Sequence, residues 1–131
     1  MHPSGKYVAF GFEYSCQVST YSIDSKKYHQ EYHFNKAEVT ALRFSPDGKF
    51  FASGDLRGDI CINDFEFADQ ITTFTGHEKA VNCLSYSKDG KYLLSGSADK
   101  TVRIWDVQIQ VQLLTLRGHT DEVLSCAFST S

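Results

Sequence analysis

The chain has 131 residues, 41% of them hydrophobic, with 13 basic against 16 acidic side chains for a net charge of −3. That length fits one domain, and the apolar share is enough for a core. The mildly acidic balance argues against bulk electrostatic attachment to nucleic acid or to an anionic membrane, which would want a basic surface, and no apolar run approaches the about 20 residues that span a bilayer.

The N-terminal Met1-His2-Pro3-Ser4-Gly5 leads directly into patterned sequence, so no secretory signal is expected. A first unit (1–34) then reads as three strands, Tyr7–Phe10, Val18–Tyr21 and Tyr28–Phe34. In the last of these, His29, Glu31 and His33 alternate with Tyr28, Tyr32 and Phe34. This is the pattern of an outer strand with one wet face. His29, Glu31 and His33 could ligate a metal, but alternate strand positions lie about 6.5–7 Å apart, awkward for one ion without a further ligand. They read as a solvated face, and no metal is expected.

A second unit (35–74) reads as Val39–Phe44, Phe50–Ser53, Asp59–Asp64 and Ile71–Phe74, with Ser45-Pro46-Asp47-Gly48-Lys49 as a strong turn signal. The third (75–116) gives Val81–Tyr86, Tyr92–Ser95, Thr101–Asp106 and Leu113–Leu116. Its turns are Ser87-Lys88-Asp89-Gly90-Lys91 and Ser97-Ala98-Asp99-Lys100. In 117–131 a further unit opens, with Val123–Phe128 as its first strand.

These units share a period of 42 residues. Val39, Val81 and Val123 keep that spacing, as do Leu42, Leu84 and Cys126, and Phe44, Tyr86 and Phe128. A period near 40–45 marks a four-stranded unit that buries both faces only by stacking on copies of itself. The cysteines Cys16, Cys61, Cys83 and Cys126 contain no Cys-x-x-Cys pair. Cys83 and Cys126 sit among Val, Leu and Phe, which suits buried reduced thiols in a cytoplasmic or nuclear compartment better than a disulfide framework.

In the third unit Gly76-His77, Val81-x-x-Leu84-x-Tyr86-Ser87-x-Asp89-Gly90-Lys91, Leu94-Ser95-Gly96-Ser97-x-Asp99 and Val102-Arg103-Ile104-Trp105-Asp106 follow in order. This run resembles a complete WD repeat. The resemblance implies an all-β fold. The chain would be a β-propeller segment of about three four-stranded blades, starting at the second strand of one blade and ending after the first strand of another. Family members typically have seven blades around a central channel.

The resemblance also implies a structural tetrad of His77, Ser95, Asp99 and Trp105, because a buried indole N–H and imidazole need partners. The corresponding residues of the second unit are Asn35, Ser53, Arg57 and Asn63, so no tetrad is expected there and that blade should be softer. Tyr21 replaces the tryptophan in the first unit, and only His119 survives in the fourth.

His77, Ser95 and Asp99 also offer a Ser/His/Asp set, but a nucleophilic serine needs an oxyanion hole and an open cleft. No enzyme activity is expected. Gly54-Asp55-Leu56-Arg57-Gly58 reads as a hairpin turn rather than a phosphate loop, so no cofactor is expected. The single Trp and the Phe and Tyr content fit a core rather than a stacking platform for nucleic acid.

In the family, the loops of the narrower face commonly receive partners. Here those loops carry Phe12, Glu13, Tyr14, Lys36, Glu38, Arg57, Glu78, Lys79, Lys100, Asp121 and Glu122. The expected function is a non-enzymatic scaffold that binds other proteins. The alternative is a propeller that recognises a modified or charged peptide tail, with Glu38, Asp121 and Glu122 facing the channel. Three blades leave terminal faces bare, so the missing blades are expected from the rest of a longer chain or from another copy.

Overall fold

The structure, a computed structural model, describes residues 1–11, 14–118 and 121–128. Phe12, Glu13 and His119 therefore lie outside the described residues. The described strands are β1 (Tyr7–Gly11), β2 (Val18–Ser22), β3 (Lys27–Tyr32), β4 (Val39–Phe44), β5 (Phe50–Asp55), β6 (Ile60–Asp64), β7 (Gln70–Phe74), β8 (Val81–Tyr86), β9 (Tyr92–Ser97), β10 (Val102–Asp106) and β11 (Val111–Leu116). They form three antiparallel meanders in sequence order: β1-β2-β3, β4-β5-β6-β7 and β8-β9-β10-β11. Among the described residues no helix is long and apolar enough to cross a membrane.

The turns explain why each hairpin closes where it does. In Ser45–Lys49 the Ser45 hydroxyl donates to Asp47 Oδ1 at 2.6 Å, and that oxygen also accepts the Lys49 N–H at 3.0 Å. The Phe50 N–H returns to Ser45 Oγ at 3.1 Å. Ser87, Asp89, Lys91 and Tyr92 repeat the pattern at 2.7, 3.0 and 3.0 Å. Gly48 and Gly90 sit at φ near 75°, where a side chain would strain the backbone.

Tyr32 and Phe74, one 42-residue period apart, carry the stacking, although the rings they meet are not equivalent by that period. Tyr32 of the first sheet meets Phe51 of the second edge to face at 4.7 Å, and Phe74 of the second stacks on Trp105 of the third at 4.8 Å. Two interblade cores result. One is built on Val18, Tyr32, Phe51 and Phe65, the other on Ile60, Ile62, Phe74, Val81, Leu84, Leu93 and Trp105. A third would begin at Leu116, the counterpart of Phe74. Leu116 is 43% exposed and Phe74 is 4% exposed, because among the described residues no sheet packs on the far face of the third.

Three sequence expectations need correction. Val123–Phe128 carries the letters of an inner strand but joins no ladder. A strand needs a neighbour for its backbone, and among the described residues no second strand of a fourth blade stands beside it. The segment instead hooks onto the third sheet through Val123 N–H to Ser97 O at 3.0 Å.

Tyr28, placed by alternation on the buried face with Tyr32, is 67% exposed. A bulge between Thr20 and Tyr21 skips one residue of β3, so strict alternation fails there. Gln30 takes the inward place and donates to the carbonyls of Phe65 and Glu66. His29 does not sit in a wholly solvated row either, since its ring stacks on Phe65 at 5.0 Å. His33 and Glu31 are exposed and form an ion pair at 3.5 Å.

Finally, β5 and β9 run two residues beyond the expected ends, to Asp55 and Ser97.

Candidate functional site

The polar centre of the third sheet is assembled from four places. His77 comes from the loop before β8, Ser95 from β9, Asp99 from the turn after it, and Trp105 from β10. Trp105 Nε1–H donates to Ser95 Oγ at 2.8 Å, Ser95 Oγ lies 2.7 Å from His77 Nε2, and His77 Nδ1 lies 2.9 Å from Asp99 Oδ2.

Donor counting orients the chain of bonds. Burial pushes the His77 imidazole below its ordinary pKa, and Asp99 only partly opposes this, so the ring is neutral at pH 7. Burial would raise the Asp99 carboxyl. Hydrogen bonds from the Thr101 hydroxyl, the Glu78 N–H, His77 and the Thr101 N–H outweigh it and hold Asp99 well below the usual carboxylate range. Ionised Asp99 can only accept, so Nδ1 carries the proton and Nε2 accepts from the Ser95 hydroxyl. The contact of His77 with Asp99 is thus a hydrogen bond to a carboxylate and not an ion pair. Gly58, at φ 95°, lets the turn after β5 lie flat against this loop, because a Cβ there would run into the His77 carbonyl.

Geometrically the Ser95, His77 and Asp99 contacts are those a nucleophilic serine would need. Ser95, however, is fully buried and its oxygen already accepts the Trp105 N–H.

The second sheet has no His–Ser–Asp–Trp tetrad, but it does not rely on packing alone. Ser53 Oγ donates to Asn35 Oδ1 at 2.6 Å, and Asn63 Nδ2 donates to Ser53 Oγ at 3.1 Å. Asn35 takes the place of His77, and Asn63 that of Trp105. Arg57, at the position of Asp99, is exposed and stays out. The carboxylate has moved two residues earlier, to Asp55. It is fully buried and accepts from Asn35 Nδ2 at 3.3 Å and from the N–H groups of Arg57 and Asp59 at 2.9 and 3.1 Å. Sequence comparison with the third unit missed Asp55, although an Asp opening a hairpin turn is a signal for a side chain that caps backbone N–H groups. The substitution leaves one mark: a tryptophan only donates, whereas Asn63 brings an acceptor, Oδ1, that is buried without a partner.

Among the described residues, the proposed loop residues of the second and third sheets fall on one rim. The turns after β5 and β9 bond to the loops before β4 and β8, through Leu56 N–H to Glu38 O at 2.8 Å, Ala98 N–H to Ala80 O at 3.0 Å and Glu78 N–H to Asp99 Oδ2 at 3.0 Å. Lys36, Arg57, Glu78, Lys79, Lys100, Asp121 and Glu122 are exposed on this rim, and Glu38 is half-buried. Tyr14 is 86% exposed. The opposite rim is tied by Phe65 N–H to Lys49 O and Val107 N–H to Lys91 O, both at 2.9 Å. Among the described residues no cluster of His, Cys, Asp and Glu could hold a metal ion.

Three stacked antiparallel meanders, two of them four-stranded and each of those two carrying a buried polar centre, define a β-propeller blade array. The family model described as "WD domain, G-beta repeat" matches residues 68–106 and 110–131. That described as "Anaphase-promoting complex subunit 4 WD40 domain" matches residues 15–85. The chain belongs to the WD-repeat family.

Two solved structures similar to it are titled "Structure of U3-55K" and "Crystal structure of RRP9 WD40 repeats". Each is 27% identical with a TM-score of 0.91, covering 97% of this chain. The chain spans 40% of the length of each. No curated protein matches it in sequence.

Proposed function

We propose that the chain is part of a larger propeller that acts as a non-enzymatic scaffold, presenting the rim around Lys36, Glu38, Arg57, Lys79, Lys100, Asp121 and Glu122 to another protein. The observation that carries this reading is the set of exposed side chains of both signs on that rim, held on loops that backbone hydrogen bonds tie together within each sheet. Stacked sheets fix the backbone, and exposed side chains of both signs then stand at set positions on a rigid frame. A rim of mixed charge favours a protein partner over a polyanion. The exposed Tyr14, from the corresponding loop of the first sheet, extends the same surface.

The Ser95 group supports a structural role over a nucleophilic one. Its hydroxyl has a donor and an acceptor satisfied inside the sheet, and reaching it would require opening the blade. The exposed Leu116 face and the three-stranded first sheet call for further blades, from the rest of a longer chain or from another copy. An intracellular reducing compartment, cytoplasmic or nuclear, fits the reduced thiols.

The test places a photo-crosslinking residue at Arg57 or Lys100 on the proposed rim, and at Lys49 or Lys91 on the opposite one. Partner adducts confined to the first pair are expected. Adducts chiefly at Lys49 and Lys91 would overturn the assignment of the rim. Stoichiometric labelling of Ser95 in the native protein by a serine-reactive phosphonate would overturn the scaffold reading itself.

A further inference from the structure

Two of the four cysteines touch. Cys83 on β8 and Cys126 on the segment beside it have their sulfurs 2.7 Å apart. A disulfide needs about 2.05 Å, so side-chain motion of less than about 1 Å closes the bond. Both residues are half-buried and line one groove with Thr40, Arg43 and Leu124, the route by which a small oxidant would reach the sulfurs. The other two cysteines lack these properties. Cys61 is buried, and burial pushes its thiol up to about 11 despite the Thr73 hydroxyl beside it. Cys16 is exposed, with no cysteine near it in the described structure.

The pair is also unequal. The hydrogen bond between the two thiols holds Cys83 below the usual thiol range against the effect of its burial, with Arg43 adding to it. The same bond pushes Cys126 up. Cys83 is therefore the more acidic of the two thiols and the sulfur that attacks first.

We propose that Cys83 and Cys126 form a redox-active dithiol that a peroxide converts to an intramolecular disulfide, fastening residues 121–128 to the third sheet. With hydrogen peroxide as oxidant, the Cys83 thiolate attacks one peroxide oxygen. The S–O bond forms as the O–O bond breaks, and the departing oxygen takes up a proton to leave as water. Cys83 is then a sulfenic acid. Cys126 sulfur, giving up its proton, attacks Cys83 Sγ; the S–S bond forms, the S–O bond breaks, and the hydroxide leaves with that proton as a second water. Two electrons pass from the two thiols to the peroxide.

The structural consequence lies in the segment that Cys126 belongs to. Residues 121–128 join no ladder, and Val123 is held by its N–H on Ser97 O and by Asn82 Nδ2 donating to its own carbonyl, each at 3.0 Å. The covalent bond would close the chain between residues 83 and 126, restricting the unfolded and frayed states more than the folded one. This inference does not depend on which rim meets a partner.

The experiment treats the reduced chain with a small excess of hydrogen peroxide, blocks remaining thiols with iodoacetamide, and maps non-reduced peptides by mass. A peptide pair joined through Cys83 and Cys126 and lighter by two hydrogens is expected, in a chain that stays the same size in solution. Limited proteolysis should cut 117–128 at least several-fold more slowly after oxidation, with dithiothreitol restoring the original rate. Recovery of both cysteines as separate carbamidomethyl or sulfinic products would overturn the proposal. So would cross-links that join Cys16 of two chains in its place.

Discussion

A Cβ on Gly54 would lie 2.7 Å from the Cβ of Val81, which faces it from the next sheet. Gly96 stands in the same relation to Val123, at 2.5 Å from Cγ1, while Gly11 leaves 3.6 Å to Val39. A side chain on Gly54 or Gly96 would therefore separate two blades, and one on Gly11 would only touch its neighbour. Gly54→Ala should cost about 1–3 kcal/mol as overpacking against a β-branched carbon that cannot swing aside. Gly11→Ala should be neutral or gain about 0.5–1 kcal/mol, since glycine weakens a strand through its unfolded-state freedom. Urea midpoints of the two variants check this; equal losses would mean that the glycines do not set blade spacing.

Trp105 joins two blades and one polar chain. Trp105→Phe keeps some of the stack on Phe74 but removes the donor to Ser95, leaving a buried oxygen short of a partner. A loss of roughly 1–4 kcal/mol in urea unfolding is expected. Arg57→Ala, on the rim and outside the Asn35–Ser53–Asn63 network, should cost under about 0.5 kcal/mol. Similar losses in the two would contradict the buried role of Trp105.

The Asn35 network makes a claim about a blade that looked unsupported in sequence. Asn35→Ala strips Ser53 of its acceptor and Asp55 of a donor, all three residues being buried. About 1–3 kcal/mol should be lost, visible as a lower thermal midpoint. A change within measurement error would show that the second blade is held by packing alone.

Acid should weaken the third blade through two groups acting in the same sense. His77 has a lowered pKa in the folded state, so below its ordinary value near 6.5 the unfolded chain takes up a proton that the folded chain refuses. Stability is therefore lost as pH falls from about 7 toward the folded pKa. Asp99, also lowered, contributes stability that is present above the usual carboxylate range and lost as pH falls toward its folded value. The prediction is that His77→Asn is less stable than the parent at pH 7 but loses less between pH 7 and 5. Parallel pH curves for the two proteins would mean that His77 is not the group titrating.

The strand pattern was readable because apolar alternation and Asp-Gly turns are local. β4 and β8 begin and end where the sequence places them. The misses are non-local. Gly54-Asp55 and Gly96-Ser97 look like turn residues, yet they continue their strands because they pair across the ladder, with Ala41 and Val39 in one sheet and with Cys83 and Val81 in the other. The bulge at Thr20 and Tyr21 that turns Tyr28 outward has no letter in the sequence to announce it. The second polar centre was hidden because the comparison asked for a tryptophan and an aspartate at fixed places. Burial asks only that each donor find an acceptor, and Asn35, Ser53, Asp55 and Asn63 meet that demand except at one oxygen.

One small bond recurs between blades and always runs the same way. The Thr40 hydroxyl donates at 2.6 Å to the Val81 carbonyl, and one period later Asn82 Nδ2 donates at 3.0 Å to the Val123 carbonyl. In this bond the donor looks forward and the acceptor back, whereas Val123 N–H donates back to Ser97 O, so the two faces of a blade differ and the array has two unlike ends. Unlike ends that complement one another join head to tail. A stack that meets its own beginning closes as a ring, whereas one whose rotation falls short can add units without limit. Blade number and tilt, rather than the strength of any single contact, thus separate a soluble ring from a growing fibre.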